Sequence, residues 1–201
     1  MAPVLPVYWR EVAICTDVRF TLRTCRALVA VAALIAASDT LPAQAVTQPA
    51  LKAAFLYNFA KFAEWPADAT VTALALCVVD DSPVDEALEQ LVKGGVVNGR
   101  PVTVLHHGPD RALRACHLVY FGGSNTDRAV ATLDEIRGAA VLTVSDGEAF
   151  AQRGGVIGLF LEDGKMRFAI NAEAAQRGGV RLSSRLLTLA KLVKDTRNAQ
   201  R

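Results

Sequence analysis

The sequence of 201 residues has little charge imbalance, few cysteines and no apolar run long enough to span a membrane. Its 22 lysines and arginines face 20 aspartates and glutamates, a formal net charge of +2. Because no basic cluster stands out, we expect no nucleic-acid partner. With 52% hydrophobic residues the chain is too apolar for a disordered protein, and 4 cysteines are too few for a disulfide-rich miniprotein.

Sequence motifs for metal binding and catalysis are also scarce. The histidines are His106, His107 and His117. Adjacent residues of an extended segment point to opposite faces, so His106 and His107 are not expected to chelate one metal ion. No His-Glu-x-x-His, Cys-x-x-Cys or nucleophile–base pattern occurs. We therefore expect no metal site, no cofactor and no enzymatic activity.

Residues 1–45 have the features of a secretory signal peptide. Three arginines between residues 19 and 26 precede the 11-residue apolar run 27–37, and Ala43-Gln44-Ala45 places small residues where signal peptidase cleaves. The run is shorter than the roughly 20 residues of a membrane-spanning helix. An uncleaved N-terminal anchor is the alternative, and residues 1–18 are consistent with a start codon assigned too early.

Cleavage after Ala45 would leave residues 46–201 as a single exported domain, which we expect in the periplasm. Of the cysteines, only Cys77 and Cys116 remain in this part. An even pair in an oxidising compartment favours a disulfide. Two separate buried thiols are the alternative.

Strand-like and helix-like segments alternate along residues 71–170. This pattern predicts an α/β fold: a Rossmann-like, mostly parallel layered sheet flanked by helices, with a C-terminal antiparallel hairpin. The predicted strands are 71–79, 101–105, 118–121, 139–144, 156–161 and 166–170. The predicted helices are 49–64, 82–94, 110–115, 124–138, 148–153, 171–177 and a last helix that begins at Ser183 or Ser184.

The first predicted helix has two different faces. An apolar stripe at helical spacing is expected to face the core. Three other residues of the helix lie opposite the stripe, and they form a candidate partner-binding surface, with a simple solvated face as the alternative. The stripe consists of Leu51, Phe55, Phe59 and Phe62, and the candidate surface of Tyr57, Lys61 and Glu64.

A candidate ligand site follows two predicted parallel strands. Gly122, Gly123 and Ser124 come after one strand, and Ser145 and Asp146 come after another. Ligands of open α/β sheets bind at the carboxyl ends of strands, and free backbone N–H groups at a helix N-terminus attract anions. An ordinary turn and helix cap is the alternative interpretation.

Three segments resemble the YfiR family of small periplasmic proteins. They are the first-helix segment 52–66 (KAAFLYNFAKFAEWP) and the closing segments 167–171 (RFAIN) and 182–190 (LSSRLLTLA). Cys77 and Cys116 match the placement of a disulfide of that family. A second family pair would fall near Ala151 and Gly158, where this sequence has no cysteine.

The resemblance implies a Rossmann-like domain, often a homodimer, without catalytic activity. It implies a periplasmic inhibitor of an inner-membrane diguanylate cyclase, which limits cyclic di-GMP and biofilm formation and is itself sequestered by an outer-membrane lipoprotein. Similar domains also serve sensor kinases, so the periplasmic domain of a kinase is a second partner to consider. The alternative function is a periplasmic small-molecule-binding sensor module that feeds a membrane kinase or a transporter.

Overall fold

The computed structural model describes residues 47–66, 72–79, 82–107, 113–123 and 125–196. The predicted signal peptide and Ser124 lie outside these residues. The described part contains six α-helices and a short 3-10 helix at Leu113–Ala115. The α-helices are α1 (Gln48–Phe62), α2 (Val84–Val92), α3 (Thr126–Thr132), α4 (Glu148–Gln152), α5 (Ala172–Arg177) and α6 (Ser184–Thr188).

The described residues form a main sheet of eight strands and a separate antiparallel pair. The main sheet has the order β10-β8-β7-β6-β5-β2-β4-β3, and β1 pairs with β9. The strands are β1 (Ala63–Glu64), β2 (Leu74–Val79), β3 (Val96–Val97), β4 (Arg100–His107), β5 (Leu118–Phe121), β6 (Leu142–Asp146), β7 (Ile157–Glu162), β8 (Lys165–Ile170), β9 (Arg181–Leu182) and β10 (Lys191–Leu192).

The predicted fold class is confirmed, since a mostly parallel sheet is flanked by helices. Strands β4, β2, β5, β6 and β7 are mutually parallel neighbours in that order. If these five strands are renumbered one to five along the chain, their order in the sheet is 2-1-3-4-5, that of a doubly wound fold. From β2 the chain adds β4 on one side, and it then adds β5, β6 and β7 on the other side, so the order reverses between β2 and β5. The carboxyl ends of β2 and β5 therefore mark the topological switch point.

The predicted C-terminal hairpin is present as the antiparallel pair β7 and β8. Its turn residues Asp163 and Gly164 have φ values of 50° and 71°. Two successive positive φ angles are typical of the tight hairpin turns that match strand twist.

Each face of the main sheet carries its own apolar core. On the first face, α1 and α2 cover alternate side chains of the central strands, such as Leu76 and Leu118. On the second face, Val119 and Phe121 pack with α3, the 3-10 helix and Phe150 of α4. Alternation along each strand produces this division, because successive side chains of a strand point to opposite faces.

The core-facing side of α1 differs from the predicted stripe. Phe59 is buried as expected, but Leu51, Phe55 and Phe62 are only half-buried. The most buried positions are instead Leu56 and the small residues Ala53 and Ala60. Alanines let the helix approach the sheet closely, and the larger phenylalanines then occupy the flanks of the contact.

The predicted last helix is shorter than expected and is followed by a strand. Helix α6 ends at Thr188, and residues 191–192 return to the sheet as β10, parallel to β8. Leu189, which directly follows the helix, is 68% exposed. A two-residue strand has no periodicity of its own, so only its pairing with Ala169 and Ile170 defines it.

Candidate functional site

Cys77 and Cys116 form a disulfide on the second face of the sheet, with Cα atoms 6.0 Å apart. Cys77 lies in β2, and Cys116 follows the 3-10 helix that leads into β5. Both are buried, at 0% and 3% exposure, within the second core. The bond crosslinks residues 39 positions apart, and by the chain-entropy estimate such a loop stabilises the fold by about 4 kcal/mol.

The two positions at which the second cysteine pair of the YfiR family would fall, 151 and 158, lie on α4 and β7. Ala151 is fully buried, and a Cβ placed on Gly158 would overlap the backbone carbonyl oxygen of Gly147. Because that neighbour is backbone, the strand cannot accommodate a side chain at Gly158 without moving. The local structure therefore excludes a cysteine at this position as it stands.

The candidate ligand residues lie at the carboxyl edge of the sheet. Gly122 and Gly123 directly follow β5, and Gly123 has a φ of 84°. The N–H of Gly122 donates to the carbonyl of Val79, 3.2 Å away, and a Cβ on Gly122 would lie 3.0 Å from the Cβ of Ser82. The glycines thus sit at the switch point, but Gly122 is packed tightly against the start of α2.

Ser145 and Asp146 do not join the glycines in one polar site. Ser145 is 1% exposed, and its hydroxyl donates to the carbonyl of Phe121 at 3.3 Å on the second face. Asp146 points to the first face, because it is the next residue of the strand. The side chains of Ser145 and Asp146 therefore lie on opposite faces of the sheet, and Ser124 lies outside the described residues.

Asp146 connects α1 to the sheet. One of its carboxylate oxygens accepts a hydrogen bond from Lys52 Nζ at 2.7 Å, and the other accepts from the Tyr120 hydroxyl at 3.1 Å. Tyr120 is fully buried, and burial, followed by the nearby negative charge of Asp146, raises the pKa of its hydroxyl well above the usual range. The tyrosine therefore remains a neutral donor, and the arrangement anchors the N-terminal part of α1 to the sheet.

His106 forms a charged cluster with α2 that the sequence analysis missed. Its Nε2 lies 2.6 Å from a Glu89 oxygen and its Nδ1 lies 3.2 Å from an Asp85 oxygen. The hydrogen bonds with Glu89 and then Asp85 raise the pKa of His106 above 6.5. The i,i+4 spacing of the two carboxylates on one helix face was the available signal.

The other two histidines have separate positions. His107 follows His106 and is the last residue of β4. His117 Nδ1 accepts the backbone N–H of Ala75 at 3.2 Å, and the imidazole packs edge-on against Trp65 with ring centroids 5.6 Å apart. Within the described ranges, no group of three or more histidines, cysteines and carboxylates has an arrangement suited to a metal ion.

A groove of about 430 Å³ opens at the other, amino end of β2 and β4. We call it the amino-edge groove. Its lining includes Lys61, Phe62, Glu64, Trp65, Val97 and Arg100.

The candidate partner-binding residues lie on this side of the molecule. Lys61 and Glu64 line the amino-edge groove, and both are exposed. Tyr57 is half-buried beside the first core, and Lys61 Nζ lies 5.5 Å from the centre of its ring. Lys61 thus contacts Tyr57 and also lines the groove with Glu64, whereas Tyr57 does not line it and presents less surface than its position on the helix suggested.

No described helix combines the length and apolar character that a membrane crossing requires. A search of curated proteins finds no match. The model of the YfiR/HmsC-like family matches residues 49–191, which run from the first turn of α1 to the start of β10. By this match over most of its length, the chain belongs to the YfiR/HmsC-like family.

Proposed function

We propose that this protein is a periplasmic regulator that binds and inhibits a membrane-bound signalling enzyme, a diguanylate cyclase. Binding lowers the output of cyclic di-GMP and thereby limits biofilm formation. The proposed mechanism is protein–protein recognition, so the protein itself carries out no chemical step. The sensor module with a bound small molecule is the competing function.

The observation that carries this proposal is the family match over residues 49–191. The Cys77–Cys116 disulfide supports the proposed compartment, because disulfides persist in the periplasm and are rare in the cytosol. The 11-residue apolar run at 27–37, with arginines before it, supports export.

The carboxyl edge of the sheet favours a regulator over a small-molecule sensor. The side chain of Ser145 is committed to an internal hydrogen bond, and that of Asp146 to Lys52 and Tyr120. Gly122 packs on Ser82 where a crevice would be expected. These contacts engage Ser145, Asp146 and Gly122 in interactions inside the protein.

We propose Tyr57, Lys61 and Glu64 as part of the contact surface for the partner. Lys61 and Glu64 offer both charge signs on an exposed surface, and Tyr57 adds aromatic area beside them. Tyrosine is enriched at protein interfaces, and polar, solvent-accessible residues form their rim.

The test is a gene deletion followed by measurement of cellular cyclic di-GMP. We expect the deletion to raise cyclic di-GMP and surface attachment, and the wild-type gene to restore both. Unchanged cyclic di-GMP in the deletion strain under several envelope stresses would refute inhibition of a cyclase.

A second strain tests the compartment. The double substitution Leu28→Arg with Leu34→Arg interrupts the apolar run and should block export. We expect this variant to accumulate in the cytoplasm and to leave cyclic di-GMP high. Full complementation by the blocked variant would contradict a periplasmic site of action.

A further inference from the structure

The amino-edge groove has an apolar interior and a rigid aromatic wall. Leu74 and Val97 contribute to its lining and are each 2% exposed. The Trp65 ring is held in place, because its indole N–H donates to the carbonyl of His117 at 2.9 Å. Phe62 provides a second, half-buried aromatic side chain. Such a fixed aromatic surface binds apolar side chains at little entropic cost.

The rim of the groove carries an excess of positive charge. Lys61 and Arg100 line it, and neither forms an ion pair with any other residue that the structure describes. The carboxylate of Glu64 also lines the groove, but it is held by Arg181 at 2.9 Å. Arg185 adds a further cation, with its guanidinium carbon 5.8 Å from the centre of the Phe62 ring.

We infer that the amino-edge groove binds an acidic, apolar peptide segment of the protein partner. Carboxylates of this segment pair with Lys61 and Arg100, and an apolar side chain packs between Trp65 and Phe62. The identity of the partner as a signalling enzyme follows from the proposed function, whereas the binding of such a peptide follows from the shape and charge of the groove. A groove of about 430 Å³ accommodates a few side chains, which fits a short segment rather than a whole domain.

Intrinsic fluorescence makes the site directly observable. The chain has two tryptophans, Trp9 in the predicted signal peptide and Trp65 in the groove. In a Trp9→Phe background, Trp65 is the sole tryptophan whether or not the signal is removed. The probe is a capped hexapeptide of alternating glutamate and leucine, and the matched control peptide replaces each glutamate with glutamine.

We expect the acidic peptide to change Trp65 emission in a saturable way and the glutamine peptide to bind at least tenfold more weakly. Binding should weaken between about 0.05 and 0.5 M salt, because exposed charges are screened. The double substitution Lys61→Gln with Arg100→Gln should raise the Kd about tenfold, since exposed ion pairs are each worth up to about 1 kcal/mol. Lys165→Gln with Arg167→Gln, on the distant hairpin, is the matched control and should leave the Kd unchanged.

Equal binding of the two peptides, the absence of saturable binding, or an unchanged Kd in the double variant would each overturn the inference. Circular dichroism and the Tm verify that both double variants are folded. In the deletion strain, the Lys61→Gln, Arg100→Gln variant should fail to lower cyclic di-GMP. If it is normally exported and lowers cyclic di-GMP as well as the wild type does, the groove is not the partner site, while the proposed function stands.

Discussion

Aromatic side chains pack together on the face of the main sheet under α1, whereas the opposite face carries the disulfide. On the first face, Phe59 contacts Phe55 and Phe168, with ring centroids 5.8 and 5.1 Å apart. The second core is smaller among the described residues and includes both cysteines, with Phe121 and Phe150 5.8 Å apart.

The difference shows how two halves of one domain reach stability by separate routes. A broad apolar core stabilises the fold by removing a large apolar area from water, without a covalent crosslink. A smaller core contributes less to the free energy of unfolding. A disulfide compensates for this, because it lowers the conformational entropy of the unfolded chain. The first face should therefore be insensitive to the redox state of its surroundings, and the second should depend on it.

The largest effect is expected from Phe59→Ala, which breaks the aromatic cluster of the first face. Phe59 is 1% exposed and packs edge-on against Phe168. Loss of a buried phenylalanine costs about 3–5 kcal/mol, and the two aromatic contacts favour the upper end. Urea unfolding measures the change in the free energy of unfolding.

Leu161→Ala is the control for this substitution, because Leu161 is 57% exposed on the hairpin. Its effect should stay within about 0.5 kcal/mol. Comparable losses in the two variants would contradict a dominant core under α1.

A slightly smaller loss is expected from Cys77→Ala with Cys116→Ala, which removes the crosslink of the second face. The free energy of unfolding should fall by about 4 kcal/mol in the chain-entropy model. Adding a reductant should destabilise the wild type by a similar amount and leave the double variant unchanged. A reductant effect that persists in the variant would assign the redox sensitivity to something other than this bond.

The smallest effect concerns His106, at the carboxyl edge next to α2. Its folded pKa lies above that of the unfolded chain, mainly because of the hydrogen bond to Glu89. Its stabilisation is therefore complete below the unfolded pKa of about 6.5 and disappears as pH rises through the folded pKa. Because His106 is exposed, the effect should be below about 1 kcal/mol.

His106→Gln should accordingly reduce stability at pH 5.5 and have little effect at pH 8.5, as measured by the Tm across this range. Gln90→Ala, at an exposed position of α2 without a titratable group, serves as the control, and its effect on the Tm should be the same at both pH values. An equal loss at both pH values would refute a contribution that depends on protonation.

Much of the fold was predictable because its strands are continuous apolar runs and its helices have local caps. The strand 118–121 occurs as predicted, and Asn171 caps α5 by accepting the N–H of Ala174. The cap of α3 is Asn125, which accepts the N–H of Arg128, whereas the predicted cap Ser124 lies outside the described residues. The two-residue strands β9 and β10 could not be predicted, since each exists only through pairing with residues distant in sequence. The strand β3 is equally short and is defined by its antiparallel pairing with the start of β4.

The candidate site was less predictable than the fold. Sequence position placed Ser145 and Asp146 at the correct edge, but it could not reveal that their side chains were already engaged by Phe121 and Lys52. The amino-edge groove joins residues from α1, β2, β3 and β4, and no local pattern connects these segments. Lys61 and Glu64 were identified because both belong to the predicted helix 49–64, although the structure places Glu64 in β1. Arg100 becomes their neighbour only in the folded chain.

The close approach of Gly158 to Gly147 has a consequence for how the protein responds to its environment. Without room for a second cysteine pair there, residues 46–201 contain one dithiol couple, Cys77 and Cys116. Oxidation and reduction of this region are then a single two-electron equilibrium, with one midpoint and no partially oxidised form. A disulfide response in two separate stages is therefore excluded for residues 46–201, and the one disulfide change that they allow falls on a single face of the sheet.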